Sequence, residues 1–347
     1  MTGDILALPK IVSLFSGAGG LDLGYKDAQY DLAFALDSSK WAIETHRANF
    51  PGTESITADL IELKPAGVIA ALARILTPGE SIGVIGGPPC QGFSRGNPKA
   101  LAEDPRNKLP LLYLSVVEAL QLVYKVQFVL FENVLGIRDV KHEEAFGGII
   151  QKFHALGLYE RVDEYCALDF GVPQNRRRVI ISAFADPIAR EAFSPSKLPR
   201  EGLSVREAIG TLPAPAYFSR QLQPDDVPYH RNHWTMRPIS SKFSDPDGVP
   251  RGSRSFRRLA WDMPSPTVAY GHREIHVHPE GHRRLSIYEA MVLQGFPKSF
   301  VLSGPLSAQV EQVSNAVPPP LGYALAQATS RALVCANKSN SKAVTNV

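Results

Sequence analysis

Short apolar runs alternate with amphipathic stretches from residue 10 to about residue 185. Ile11–Phe15, Leu32–Leu36, Ser81–Ile85, Phe128–Phe131 and Val179–Phe184 have the length and near-continuous apolarity of buried strands. Leu21–Tyr25, Ser39–Asn49, Ala66–Leu76, Leu111–Tyr124 and Ala145–Leu156 instead repeat their apolar residues at helical spacing. The alternation predicts an α/β fold built on a doubly wound, mostly parallel sheet. Such sheets bind ligands at the carboxyl ends of their strands, so chemistry is expected in the residues that follow each run.

From about residue 186 the pattern changes. Residues 186–281 are rich in Pro, Gly, Arg and His with little periodicity, which predicts a second, smaller, irregular domain. Periodicity returns over Leu285–Phe300, and Pro318-Pro319-Pro320 precedes a last helix, Leu321–Val334. The expected division is 1–185, 186–281 and 282–335, with a polar tail, 336–347, expected to be disordered. No internal repeat is visible.

With 347 residues and 44% apolar content, the chain can bury a sizeable core. No run approaches the roughly 18 apolar residues of a membrane span, and Met1–Lys10 lacks the basic-then-apolar profile of a secretory leader. Three cysteines, Cys90, Cys166 and Cys335, make no disulfide framework and point to the reducing cytoplasm. The net charge of +3 conceals an asymmetry: residues 171–300 hold 19 Lys+Arg against 12 Asp+Glu, and the remainder 18 against 22. A basic segment on a near-neutral body suits a polyanion, although a solvated basic face would give the same count.

Candidate chemistry gathers after the strands. Cys90 lies in Gly86-Gly87-Pro88-Pro89-Cys90-Gln91-Gly92-Phe93-Ser94, directly behind Ser81–Ile85. Two prolines fix the backbone direction there and present one thiol at a strand's carboxyl end. A lone cysteine in a turn also reads as a small buried hydrophobe; its partners decide. Phe15-Ser16-Gly17-Ala18-Gly19-Gly20 follows the first strand and opens a helix, where glycines allow close approach of a ligand and free N–H groups favour an anionic one. The run departs from G-x-G-x-x-G, which counts against a dinucleotide. Asp37 ends the second strand, where a carboxylate can accept from ribose hydroxyls; Trp41 can stack on a purine, and Asp59 can hold its exocyclic amine. Each has a plainer reading too, Trp41 as core filler and the two aspartates as helix caps.

Further motifs follow in order: Phe131-Glu132-Asn133-Val134, Gln174-Asn175-Arg176-Arg177-Arg178, His282 through Pro297, and Gln312-Val313-Ser314-Asn315-Ala316-Val317-Pro318-Pro319. With Pro88-Pro89-Cys90-Gln91 they resemble, in order and spacing, the motifs of the cytosine-C5 DNA methyltransferase family over about residues 11–330. Residues 186–281 align only weakly. The resemblance implies a Rossmann-like, S-adenosylmethionine-dependent core with a target recognition domain, and methyl transfer to C5 of a cytosine in double-stranded DNA. It implies Cys90 as nucleophile, with Glu132 and Arg178 at the base and Arg176 supporting the site or a phosphate. It implies cofactor contacts from Phe15, Ser16, Gly17, Ala18, Gly19, Gly20, Asp37, Trp41, Asp59, Asn315 and Val317. Relatives more often carry glutamate where Asp37 stands; the shorter arm should still reach.

The implied chemistry explains these residue types. C5 of cytosine is a poor nucleophile until a thiolate adds to C6 and breaks the aromaticity. The charge then loaded onto N3 and O2 needs a carboxyl and a guanidinium as positioned donors. The base that removes the C5 proton is not named by the sequence. The cytosine must leave the duplex; Gln91–Asn97 is expected to be the loop closing over it, with Gln91, Ser94 and Arg95 contacting DNA. Thr267, in Pro264-Ser265-Pro266-Thr267-Val268, is a phosphate candidate by the same resemblance. Arg251, Arg254, Arg257, Arg258 and Arg273 are unsorted candidates for groove or phosphate contacts. His272, His276, His278 and His282 suggest zinc, but no cysteine accompanies them and the motif needs the same segment, so no metal is expected.

The compact length suits an enzyme that protects DNA beside a cognate restriction endonuclease, acting as a monomer in the cytoplasm. A tRNA cytosine-5 methyltransferase of the same family, a non-catalytic DNA-binding paralogue and a nicotinamide dehydrogenase are the competing readings.

Overall fold

A computed structural model describes residues 7–89, 108–250, 256–267 and 276–345. The expected parallel sheet is present. Its strands are β1 (Lys10–Leu14), β2 (Leu32–Asp37), β3 (Glu54–Thr57), β4 (Ser81–Gly86), β5 (Lys125–Asn133), β6 (Tyr159–Cys166) and β8 (Arg177–Phe184), with a two-residue strand β7 (Gln174–Asn175) lying apart. The spatial order is β3-β2-β1-β4-β5-β8-β6. The first five are parallel, and β8 enters antiparallel between β5 and β6.

The two strands that the apolar pattern missed, β3 and β6, are the two edges of the sheet. Glu54-Ser55-Ile56-Thr57 buries only one side chain fully, and Tyr159–Cys166 is mostly half-buried and charged. Edge strands carry charge as protection against mispairing, which erases the signature of a central strand.

Helices cover both faces, as predicted. On one face pack α1 (Gly20–Asp27), α8 (Ile287–Leu293), α9 (Leu306–Asn315) and α10 (Pro319–Thr345); on the other pack α3 (Leu60–Leu72), α4 (Leu109–Gln121) and α5 (Glu143–Ala155). Between β1 and β2 on one side and β3 on the other, α2 (Lys40–Asn49) makes the crossover. Successive strand residues divide between the two cores: Ile11, Ile85, Phe128 and Leu130 face one, while Val12, Leu14, Val84, Val129 and Phe131 face the other. This period-two sorting requires apolar residues at every position, and each large side chain so buried contributes about 1.5–3 kcal/mol.

Two helices depart from expectation. The segment expected to be helical over Leu285–Phe300 is helical only as α8, capped by Ser286 with Glu289 and stopped before Gly295 at φ 80°. The tail expected to be disordered from residue 336 is helical to Thr345. No Gly or Pro interrupts residues 323–345; Ser339 and Ser341 donate back to the carbonyls of Cys335 and Asn337, and Asn340 Nδ2 donates to Asp186 at 2.8 Å. Polarity alone was the wrong criterion, because nothing there breaks a helix already nucleated by its buried half.

The described residues of 186–281 are irregular, as predicted. Their helices and strands are α6 (Pro187–Ala192), α7 (Val205–Ile209), β9 (Ala216–Tyr217), β10 (Trp234–Thr235) and β11 (Ser265–Pro266), with single 3-10 turns at Pro224–Asp226 and Ser241–Ser244. Phe193, Val205, Ile209 and Leu259 join the main core, whereas Phe243, Val249 and Val277 form a small separate cluster against Phe256.

Candidate active site

The antiparallel entry of β8 has a consequence for the site. Its amino end lies at the same sheet edge as the carboxyl ends of β4 and β5, with Val179 opposite Asn133 and Gly86 opposite Phe131. Glu132 and Arg178 therefore meet: Arg178 Nε stands 2.7 Å from Glu132 Oε1, both side chains 11% exposed. The contact is an ion pair off the axis of a good hydrogen bond, so Oε1 keeps bonding capacity. Burial pulls the Arg178 guanidinium below its ordinary value, opposed by the Glu132 charge.

The turn after β4 is fitted to this carboxylate. A Cβ on Gly87 would stand 2.7 Å from Glu132 Oε2, so a larger residue there would push the carboxylate aside. Asn133 Nδ2 donates to the Pro88 carbonyl at 3.2 Å, tying the turn to the end of β5. Cys90, Gln91, Ser94 and Arg95 lie outside the described residues; Pro89, their neighbour in the chain, leaves the same edge. Arg176 is 1% exposed and donates from Nη2 to the Asn315 carbonyl at 3.4 Å. It thus braces the junction of the β7–β8 segment with the end of α9.

The glycine turn lies at the neighbouring strand ends. Phe15 has φ 54°, a strained value for a bulky residue, and Gly17 and Gly19 have φ 54° and 89°. Asp37 Oδ2 accepts from Gly17 N–H at 2.9 Å and Oδ1 from Ser39 N–H at 2.8 Å. Burial raises the Asp37 carboxyl above its ordinary value, against the effect of those two N–H groups. Val317 returns to this turn so closely that a Cβ on Gly20 would stand 2.3 Å from its carbonyl oxygen. Asp59 caps α3 through the Ile61 N–H at 2.8 Å, which is its plainer reading for one oxygen. Trp41 is 36% exposed, not core filler, with Gly304 against its ring. Space is open beside Gly17, and the buried Ser16 hydroxyl has no partner among the described residues. An orphaned hydroxyl, an open turn, a ribose-height carboxylate and an exposed indole fit a nucleoside with a charged tail.

A family model for C-5 cytosine-specific DNA methylases matches residues 9–331. The chain belongs to that family. Type II methyltransferase M1.HphI of Haemophilus parahaemolyticus is 32% identical over 91% of this chain and 85% of its own length. Type II methyltransferase M.MthTI of Methanothermobacter thermautotrophicus is 29% identical over 91% and 96%. Among solved structures, a putative DNA modification methyltransferase encoded within an E. coli prophage superposes with a TM-score of 0.74 at 23% identity, covering 95% of this chain and all of that one. The sequence-based identification therefore holds: this is a cytosine-C5 DNA methyltransferase with the fold of S-adenosylmethionine-dependent enzymes.

In the methyltransferase's irregular region, β11 pairs with β7, and the Thr267 hydroxyl donates to the Asn175 carbonyl at 2.9 Å. Thr267 thereby joins the region to the Arg176–Arg178 segment. Arg258 is committed to structure: it donates to the carbonyls of Pro279, Asp247, Val249 and Glu280 at 2.7–3.2 Å. Four of its five N–H donors are thus taken by backbone carbonyls, which leaves one for a DNA contact. Arg257 is exposed, and Arg251, Arg254, Arg273 and His272 lie outside the described residues. His276 bonds the Thr267 carbonyl, His278 stands edge-on to Trp261, and His282 bonds the Phe243 carbonyl. Among the described residues no group of three or more His, Cys, Asp or Glu is arranged for a metal, and no helix is long and apolar enough to cross a membrane.

Two features escaped the sequence reading. One is the Asn133–Pro88 tether, whose only signal was adjacency to Glu132. The other is Tyr229–Trp234, which lies within the region read only as irregular. His230 accepts at Nδ1 from Asn232 N–H (3.0 Å), donates from Nε2 to the Phe300 carbonyl (3.1 Å) and stacks on Tyr288 at 4.0 Å. Asn232 bonds both N–H and carbonyl of Leu302, and His233 bridges Ser286 and the Pro213 carbonyl. The segment clamps the irregular region onto the chain around α8 and α9. The four polar side chains among six residues were its only trace.

Proposed function

We propose that the enzyme methylates C5 of a cytosine swung out of a specific duplex sequence, through a covalent bond from Cys90 to C6. Support comes above all from the Glu132–Arg178 ion pair lying against the Gly87–Pro89 turn, two strands from the glycine turn. The Cys90 thiolate adds to C6, and the displaced electron pair moves onto N3 and O2. Glu132 accepts from the N4 amine and, carrying a proton when the base is bound, passes it to N3 as charge develops and takes it back after methyl transfer, while Arg178 faces O2. Their mutual attraction holds both side chains ready, so little reorganisation accompanies the reaction. Arg176 acts through the backbone it braces. S-adenosylmethionine supplies the electrophilic methyl group. Loss of the C5 proton then re-forms the C5–C6 double bond and expels the Cys90 thiolate.

Phe15, Ser16, Gly17, Ala18, Gly19 and Gly20 would hold the amino-acid tail of that cofactor, Asp37 its ribose, Trp41 and Asp59 its adenine, with Asn315 and Val317 completing the wall. Extrusion of the base costs a few kcal/mol, to be recovered from phosphate contacts; Gln91, Ser94, Arg95 and Thr267 are the candidates. Residues 186–281 serve as the target recognition domain. The relatives' type II names support a protective role beside a cognate restriction endonuclease, with a monomer acting in the cytoplasm. Bisulfite sequencing of a plasmid incubated with purified enzyme and S-adenosylmethionine tests the reading: conversion-resistant cytosines should fall in one short sequence. Methylation of tRNA but of no duplex DNA would replace it.

A further inference from the structure

β9 and β10 are parallel, with Trp234 opposite Ala216 and Thr235 opposite Tyr217. Their carboxyl ends therefore leave the ribbon side by side, Phe218–Arg220 from one strand and Met236–Ile239 from the other. Phe218 and Met236 are nearly half exposed, and Ile239 is 100% exposed. Arg237 lies over the Tyr217 ring at 4.9 Å, and neither it nor Arg220 makes an ion pair among the described residues. From 208 to 244 the acids are Asp225 and Asp226, of which Asp225 pairs with Arg231.

The ribbon behind this tip is anchored. Trp234 Nε1 donates to Gln309, the Thr235 hydroxyl donates to the Leu285 carbonyl, and Phe218 packs on Trp234 at 5.5 Å. Between the strands, Tyr229 sits at φ 75° in a tight γ-turn closed by His230 N–H to the Pro228 carbonyl at 2.9 Å. That conformation is strained and persists only because its surroundings over-determine it. A strained, firmly held support thus presents three apolar side chains and two guanidinium groups to solvent.

An apolar-centred, cation-flanked tip matches a surface with anions at its rim and apolar edges inside. A duplex groove has that layout: phosphates line it and base edges, including thymine methyls, form its floor. We propose that this tip enters a groove of the DNA and takes part in choosing the target sequence. Arg220 and Arg237 hold the flanking phosphates, while Phe218, Met236 and Ile239 lie against base edges. The inference rests on duplex DNA being the substrate.

Two variants test it. Arg220→Ala/Arg237→Ala should raise KM for cognate DNA at least tenfold and lower the salt dependence of binding by about two counterions. Phe218→Ser/Ile239→Ser should methylate additional sequences in a randomised duplex pool read by bisulfite sequencing. In both, melting temperature, S-adenosylmethionine affinity and kcat at saturating DNA should stay within twofold of the parent. Unchanged KM, salt dependence and sequence choice in folded variants would overturn the proposal, and would leave the tip as a seat for another protein. Absence of methylation by the parent enzyme on any DNA would instead remove the reading of the active site itself.

Discussion

The sheet's carboxyl edge and the irregular region hold their functional residues by different means. At the edge, Glu132, Arg178 and the Gly87 turn are aligned by strand register: backbone ladders set the spacing, and one ion pair finishes it. Among the described residues of 186–281 almost no ladder exists, and position is set by side chains reaching the backbone, as Arg258 and Asn232 do. A register is redundant, because removing one side chain leaves the strands in place. A side-chain clamp is not, because each clamp holds several loops at once. The first kind of construction tolerates change in stability and is sensitive in chemistry; the second is the reverse.

This contrast can be broken most sharply at Glu132. Glu132→Gln should lower kcat by roughly 10²–10⁴-fold while changing stability little, because the amide keeps the shape but neither the charge nor the proton. A comparable fall in melting temperature, measured by calorimetry, would show that the edge depends on the ion pair rather than on the ladder. Arg258→Ala is the counterpart. It should destabilise the irregular region by about 3 kcal/mol, since charged hydrogen bonds contribute roughly 1.5–3 kcal/mol each and do not add fully. Hydrogen exchange should rise around residues 247–249 and 279–281, with S-adenosylmethionine affinity retained.

A smaller effect should follow acidification. Burial lowers the pKa of His230 and His276 from 6.5. The unfolded chain therefore takes up protons first as pH falls below about 6.5, and stability declines through the folded values. Above that pH both states are neutral at these residues and the contribution is constant. The faces around them bear on the same measurement: Arg257 and Arg284 lower His276 further, and His233 and Lys298 lower His230. Urea midpoints at pH 7.5 and 5.5 should differ in the clamped region before they differ in the sheet; equal sensitivity would blur the distinction between the two. Truncation after Ala336 should matter least. It removes exposed turns of α10 and the Asn340–Asp186 bond, so the expected loss is below about 1 kcal/mol.

Much of the site was legible before any coordinates, for a physical reason. Central strands are buried on both faces and announce themselves by near-continuous apolar runs, so the residues after them mark the carboxyl edge. Glu132, Asp37 and the glycine turn stand at that edge, and Arg178, singled out by its motif, meets Glu132 there, while Cys90 lies outside the described residues. The edge strands β3 and β6 were hidden because their charge mimics loop composition. The bracing role of Arg258 was hidden for a related reason: an arginine bound to carbonyls and one facing phosphate have the same sequence signature.

The chain by itself determined which segments must be buried and which residue types stand at their ends, because apolar burial and chain stereochemistry act locally. Only the tertiary structure decided that β8 runs backwards and so delivers Arg178 to Glu132, that Val317 closes on Gly20, and that Tyr229–Trp234 is a clamp. Those contacts join residues tens to hundreds of positions apart, and their energies depend on distance and direction in space, which spacing along a sequence does not carry.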